Sequence, residues 1–290
     1  MKKILVPVDF SGHTGIICRY AIEFAKIFGG EIRLFHSCFD QMILADASFP
    51  DTIDMSTIYS EQLMKGIYLQ AETRLKELHD QLRQELDGEG LPHIILSTRL
   101  TGGDFELELR GICQDYHPDM VILGTTGSGK NLNVWGKVST FIIEHARVPV
   151  LTVPAITGFP GLGNVMFTAD LSEQNVDCIR LLLNLFEPLR IMIRVVHFFH
   201  KTGENDAENR MKMLRDSFSG EEKEGRIAFD LVETTDDNQS AIGQFITQAE
   251  IRMIAFNPHR HGLLYMYFTR KITRKNLFAT HIPLLSVPGT

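Results

Sequence analysis

Val121-Ile122-Leu123-Gly124-Thr125-Thr126-Gly127-Ser128-Gly129-Lys130 is the stretch on which the fold turns, and it runs on through Trp135-Gly136-Lys137-Val138-Ser139-Thr140. An apolar run stops at a glycine, a glycine-rich loop follows, and a short helical pattern opens with small and hydroxylated residues. Glycine permits positive φ and lets a ligand approach the backbone closely. A helix N-terminus offers unpaired N–H groups and partial positive charge. Strand, loop and helix start together make a place for phosphate.

Working outward, the apolar segments alternate with amphipathic ones. Residues 2–9 read as a first strand, with Pro7 near its end where a missing N–H is tolerated. Ser11 is placed to cap the next helix, whose apolar positions Ile17, Tyr20, Ala21, Phe24 and Phe28 keep a helical period up to Gly29-Gly30. Ile32 to Ser37 is a second strand. Residues 39–58 have no clean period and contain Pro50, so they read as a surface loop or lid. Leu63, Ile67, Ala71, Leu75, Leu78, Leu82 and Leu86 mark a long amphipathic helix that ends near Gly88 and Gly90. His93 to Leu100 is a third strand. Gly102-Gly103-Asp104 opens a helix carrying Leu107, Leu109, Ile112 and Cys113, and Pro118-Asp119 leads into the opening stretch. A helix with Phe141, Ile142 and Ala146 and a strand over Val148 to Pro154 complete the pattern. The order β-α-β-α-β-α-β-α-β predicts a parallel sheet covered on both faces, with right-handed crossovers. Ligands bind such sheets beyond the carboxyl ends of the strands. Asp9 and Gly124 both end strands.

Residues 155–162 read as a linker, after which the pattern restarts. Phe167 to Ser172 lies over Val6 to Ser11 at a shift of 161, and His197 lies over His36 at the same shift. Ile282 to Pro288 lies over Val148 to Pro154 at a shift of 134. Three matched segments in two registers, separated by a gap, indicate an internal duplication, with domains at 1–155 and 162–290. The length of 290 residues fits two ordinary domains.

The bulk numbers narrow the function. With 44% hydrophobic and 22% charged residues the composition is globular. A net charge of -7 argues against a nucleic-acid surface, and no apolar run reaches the length of a membrane span. The apolar start is too short for a signal peptide and is interrupted by Asp9. Cys18, Cys38, Cys113 and Cys178 have no Cys-x-x-Cys spacing and read as reduced, mostly buried thiols of a cytoplasmic protein.

These residues resemble the universal stress protein family in its tandem two-domain form, over nearly the whole chain. The resemblance is carried by Ile4 to Ser11, His36, Pro118-Asp119 before Val121 to Gly124, the glycine loop, and Val148 to Leu151. It implies two Rossmann-like α/β domains, each a five-stranded parallel sheet with helices on both faces and strand order 3-2-1-4-5. It also implies a site for ATP or a related adenine nucleotide, with or without Mg²⁺, in the first domain. There Asp9 resembles the carboxylate that meets adenosine, with Pro7 and Val8 beside it. Gly124 and Gly127 match the first two glycines of the family's ATP signature, and Gly136 the third. Gly136, Val138 and Ser139 would line the helix start that holds the terminal phosphates. The sequence departs from the signature in two ways: eight residues rather than nine separate Gly127 from Gly136, and Lys137 stands where the family has a hydroxyl. Lys137 either supplies charge there or points to solvent. In the second copy Asn257, Arg260 and Arg270 replace the three glycines and Thr168 replaces Pro7, while Asp170 and Thr273 remain. That copy is expected not to bind ATP in the family's manner and to pack on the first, as paired domains of the family do through their last strands. The chain is either a monomer of paired domains or a homodimer of such chains.

Other readings compete. Gly124-x-x-x-x-Gly129-Lys130 fits a P-loop until Asn131, which lacks the Mg²⁺-binding hydroxyl. The synthetase-type pyrophosphatase and His-x-Gly-His nucleotidyltransferase motifs are absent. Ser139 and His145 at helical spacing read as two surface residues rather than a dyad. His259, His261, His281 and His200 are candidate metal ligands, but His-x-His in a basic turn with Arg260, Arg270, Lys271, Arg274 and Lys275 reads more simply as solvated surface. His36 and His197 either face the crevice or are core histidines bonded to backbone. Asp9 either meets a ligand or only caps the helix after it. Trp135 either covers a nucleotide or packs under the loop. The expected function is a stress-response or signalling module that binds nucleotide with little or no hydrolysis. The alternatives are an interaction protein of the same fold that has lost the nucleotide and, last, an ATP-dependent enzyme.

Overall fold

The structure is a computed structural model. It describes residues 2–38, 56–125, 141–143, 145–154, 159, 161–189, 191–199, 206–234, 238–258 and 282–289. The lid expected at 39–58 lies outside them up to residue 55. The chain divides into two compact units, residues 1–123 and 124–290.

In the first unit β1 (Lys3–Pro7), α1 (Thr14–Phe28), β2 (Glu31–Ser37), α2 (Ser56–Gly88), β3 (Ile95–Thr101), α3 (Phe105–Tyr116) and β4 (Met120–Gly124) follow in order. The strands lie side by side as β3-β2-β1-β4, all parallel. Ile4, Leu5 and Val6 are all buried, as a strand covered on both faces requires. Helix α1 buries Ile17, Tyr20, Ala21 and Phe24 and stops at Gly29, which takes φ +60 and caps Ala25 O. Asp104 caps α3 by accepting from the N–H groups of Glu106 and Leu107.

Three details depart from the sequence expectation. Ser11 does not cap α1: the helix begins after His13, and the Ser11 hydroxyl only accepts from His13 N at 3.4 Å. Leu63 and Leu107 belong to the expected apolar stripes yet are 38% and 68% exposed. Helix α2 has 33 residues, about 50 Å at ~1.5 Å per residue. Strand β2 has seven residues, about 23 Å at ~3.3 Å each. The helix therefore outruns the sheet, and Ala71, Leu75, Leu82 and Leu86 are the buried part of its stripe. Leu107 falls on the outward side of the first turn of α3.

The second unit contains β5 (Val150–Val153), β6 (Asn164–Thr168), α4 (Gln174–Phe186), β7 (Ile193–Phe199), α5 (Ala207–Asp216), α6 (Ser219–Lys223), β8 (Ile227–Glu233), α7 (Asn238–Gln248), β9 (Ile251–Phe256) and β10 (Leu284–Ser286). Its order is β5-β10-β9-β6-β7-β8. All neighbours are parallel except β5 and β10, which pair antiparallel from Leu284↔Thr152 to Ser286↔Val150. The strand order 3-2-1-4-5 holds in the first domain, and β8-β7-β6-β9-β10 repeats it. The fold is thus an α/β doubly wound one. Thr125 N, just past β4, donates to Val153 O of β5 at 3.0 Å. The shift of 161 carries β1 onto β6 residue for residue.

All four cysteines are free thiols, buried at 18, 38 and 178 and half-buried at 113. Among the described residues no helix is long and apolar enough to cross a membrane, and no group of three metal-binding side chains converges.

Candidate functional site

Strand β1 stops hydrogen bonding as a ladder at Pro7, but Val8 N still donates to Phe35 O at 2.8 Å and Val8 is buried. Asp9 is therefore delivered to the carboxyl edge of the sheet at the end of a fixed strand. The chain then turns sharply, with Phe10 at φ +55, a left-handed conformation that non-glycine residues adopt only under constraint. The constraint is visible. Arg74 of α2 donates to Phe10 O at 3.1 Å and sets its guanidinium 4.6 Å from the centre of the Phe10 ring.

Asp9 Oδ1 accepts from Ser11 N at 3.0 Å and, at the limit of a hydrogen bond, from the Thr14 hydroxyl at 3.5 Å. Its Oδ2 is buried and has no partner among the described residues. Two further buried polar atoms on the same edge share that condition: His36 Nε2 near the end of β2 and Thr101 Oγ1 at the end of β3. His36 is 5% exposed, and its ring lies 4.5 Å from that of Phe10. Its Nδ1 is 2.7 Å from Val8 O. A carbonyl only accepts, so Nδ1 carries the proton and Nε2 is a bare acceptor. Burial holds the His36 pKa below its usual value, with Arg74 adding to the effect while the Val8 carbonyl and Asp9 oppose it. Native proteins rarely leave buried polar atoms unpaired, and a run of them at strand ends marks a place for a ligand.

The second copy has the same backbone with different chemistry. Leu171 repeats Phe10 at φ +59. His197 Nδ1 bonds Ala169 O at 2.8 Å, the equivalent of His36 to Val8. Both histidines are thus core residues bonded to backbone through Nδ1. Asp170 Oδ1, however, takes three donors: Ser172 N at 3.0 Å, the Ser172 hydroxyl at 2.7 Å and Asn175 Nδ2 at 2.7 Å. Asn175 Oδ1 also accepts from Leu171 N at 3.0 Å. Burial raises the Asp170 pKa, but the hydroxyl and N–H of Ser172 and the Asn175 amide together outweigh it and hold the carboxyl below its usual value. Arg210 of α5 donates to Asp170 O and to Leu171 O. By strand register Phe198 and Val232 stand where the first copy has Ser37 and Thr101. No atom of the second copy is a buried orphan among the described residues.

Of the residues expected at a nucleotide site, Pro7, Val8 and Asp9 lie together at the end of β1, and Gly124 is the last residue of β4. Strands β1 and β4 are parallel neighbours, with Ile4↔Met120 and Leu5↔Val121, so their carboxyl ends share one edge. Gly127, Gly136, Lys137, Val138 and Ser139, with Trp135, Ser128, Gly129 and Lys130, lie outside the described residues, as do Arg260, Arg270, Thr273 and the histidines at 200, 259, 261 and 281. His145, considered beside Ser139, bonds Phe141 O at 2.9 Å. In the second copy Asn257 is buried and its amide donates to Gln174 Oε1 at 3.4 Å. Sequence reasoning passed over Thr14, Arg74 and Thr101. The signal for Thr14 was available: it and Asn175 stand five residues after the duplicated aspartates.

The sequence model described as "Universal stress protein family" matches residues 1–154. No curated protein matches the sequence. Among solved structures, a universal stress protein from Archaeoglobus fulgidus is similar with a TM-score of 0.67 at 14% identity, covering 99% of this chain and 96% of its own. A protein of unknown function from Pseudomonas aeruginosa gives 0.61 at 12% identity, over 100% of this chain and 93% of its own. The cytoplasmic domain of a prokaryotic cation chloride cotransporter gives 0.53 at 10% identity, over 98% and 94%. Identities this low speak for the fold alone. The family match covers more than half of the chain, from β1 through β5, and on that ground this chain belongs to the universal stress protein family.

Proposed function

We propose that the first domain, residues 1–155, binds ATP or a related adenine nucleotide at its strand ends, and that the chain acts as a cytoplasmic stress-response module that holds nucleotide rather than turning it over. One observation carries this: Asp9 Oδ2 is a buried acceptor without a donor. Leaving such an oxygen unpaired costs about 1–3 kcal/mol, more when charged. A ligand hydroxyl or amino group relieves that cost, and adenosine offers both. Pro7 and Val8 supply the adjoining wall. The family resemblance assigns the phosphates to Gly124 and Gly127, and the terminal ones to Gly136, Lys137, Val138 and Ser139, with Mg²⁺ as an optional companion. Little or no hydrolysis is part of the same proposal. The second domain, residues 162–290, serves the first as a packing partner, and the antiparallel pairing of β10 with β5 supports this.

The test is thermal unfolding of the full chain with and without millimolar ATP. Binding at a hundred times Kd stabilises by about 2.7 kcal/mol, so the midpoint should rise, and Asp9→Ala should abolish the rise. Gly127→Val should do the same by filling the space meant for phosphate. No shift in the parent protein, or an undiminished shift in Asp9→Ala, would reject the proposal. The shortened gap before Gly136 and Lys137 in place of a hydroxyl favour the second reading, an interaction protein without nucleotide. A flat Trp135 fluorescence titration with ATP would promote it.

A further inference from the structure

We propose that Thr101, at the end of β3, is a specificity-determining residue of the strand-end site, its hydroxyl meeting the nucleobase of the bound nucleotide. The inference deepens the nucleotide reading and rests on it. Thr101 is 8% exposed, and its Oγ1 is buried without a partner among the described residues.

The sheet fixes where that hydroxyl stands. Thr101 pairs with Ser37 in the β2–β3 register, and its carbonyl accepts from Cys38 N at 3.2 Å and from Cys38 Sγ at 3.3 Å. Ser37 does not relieve the deficit as a donor, because its hydroxyl proton is spent on Gly103 O. The Val8 N bond to Phe35 O carries the β1–β2 pairing past Pro7↔Phe35, so Asp9 comes level with Ser37 two residues on. Asp9, Ser37 and Thr101 therefore form one row across three strand ends, and two of these residues, Asp9 and Thr101, hold a buried unpaired oxygen. Two strand spacings, about 10 Å, separate the ends of the row. A nucleoside with a hydrogen bond at each end bridges that distance. Direction follows from strand order. Strand β4, whose loop the family resemblance gives to the phosphates, flanks β1 on one side, and β2 and β3 lie on the other. The end of the ligand over β3 is thus the base. A hydroxyl both donates and accepts, which suits the amino group and ring nitrogen side by side on a base edge. The second copy builds the same strand pair without this hydroxyl. Its row is Asp170, Phe198 and Val232, with Phe198 3% exposed and its ring edge-on to that of Phe245 at 6.3 Å. Phenylalanine and valine carry no polar side-chain atom, so those two positions leave no deficit there.

Calorimetric binding of ATP and of AMP to the full chain, with thermal unfolding of the ligand-free protein, tests this. Thr101→Val keeps the shape and removes the hydroxyl. It should weaken ATP and AMP by the same factor, about fivefold or more. It should also raise the ligand-free midpoint, since an unpaired buried polar atom is gone. Thr101→Ser keeps the hydroxyl and should hold the affinity for both within about threefold. Loss of affinity together with gain of stability is a signature that a purely structural role does not produce. Unchanged affinity in Thr101→Val, or a lowered midpoint, would overturn this inference alone. So would a loss confined to ATP, which would put the hydroxyl on phosphate rather than on the base. No binding of either nucleotide by the parent chain would overturn the nucleotide reading and this inference with it.

Discussion

The two strand ends of this chain share one backbone and meet opposite fates. Both carry an aspartate two residues past the strand, a left-handed residue after it, a histidine bonded to the residue before it, and an arginine on the carbonyls of the turn. At Asp170 the chain supplies the donors that the carboxylate needs. At Asp9 it supplies fewer, and buried acceptors accumulate on the edge. A duplicated domain that no longer meets a ligand gains stability by satisfying its own polar groups, because an unpaired buried oxygen costs more than a made bond returns. A domain that still meets one keeps the deficit. On the proposed nucleotide reading the first copy is the less stable arrangement when empty, and that asymmetry is measurable.

The largest effect should come from removing the carboxylates in turn. Asp170→Ala strands the Ser172 hydroxyl and the Asn175 amide, and should cost about 2–3 kcal/mol, as for hydrogen bonds to a charged group. Asp9→Ala removes one short bond, to Ser11 N, and also removes the orphaned oxygen, so it should cost about 1 kcal/mol or less without ligand. Urea unfolding followed by circular dichroism measures both. Equal costs would mean that the two turns are energetically alike and that the open carboxylate signifies nothing. The arginines should give a smaller contrast. Arg210 serves two carbonyls and Arg74 one, with the Phe10 ring as its other contact. Both are solvent-facing, so Arg210→Ala should cost about 1 kcal/mol and Arg74→Ala about half that. The reverse order would show that the guanidinium–ring contact outweighs a carbonyl bond.

Much of this was legible in the sequence, for physical reasons. A parallel strand buried on both faces has to be apolar throughout, so Ile4-Leu5-Val6 and Val165-Met166-Phe167 announced themselves. The shift of 161 then paired them, and with them Asp9 with Asp170 and His36 with His197. The histidine bond was one of two readings, because a strand-end histidine looks the same facing core or crevice until the Val8 carbonyl is seen 2.7 Å away. Ser11 looked like a cap by type and position, but the turn at Phe10 delays the helix to Thr14. Leu63 and Leu107 kept the helical period and still faced outward, since periodicity names a stripe and not the length of sheet available to cover it. Thr101 against Val232 is a single difference whose meaning depends on whether a buried hydroxyl finds a partner, which no pattern encodes.

The subtlest prediction separates the two ends by acid. Burial, with Arg74, keeps the folded-state pKa of His36 below its unfolded value near 6.5. Below about pH 6.5 the unfolded chain takes up a proton that the folded chain refuses, so stability present at neutral pH is lost as pH falls from there toward the folded pKa. Asp170 is also depressed, but from the ordinary carboxylate value near 3.9. Its contribution is therefore intact through the window in which His36 acts, and is lost only as pH falls below about 4 through its folded pKa. His36 should answer mild acid and Asp170 only strong acid. Unfolding free energy measured from pH 7.5 to 3 should show two separate declines. His36→Gln should flatten the upper one and Asp170→Asn the lower one. A variant that flattened the other's limb would mean that the two strand ends titrate as one cooperative body, and the contrast between them would lose its independent halves.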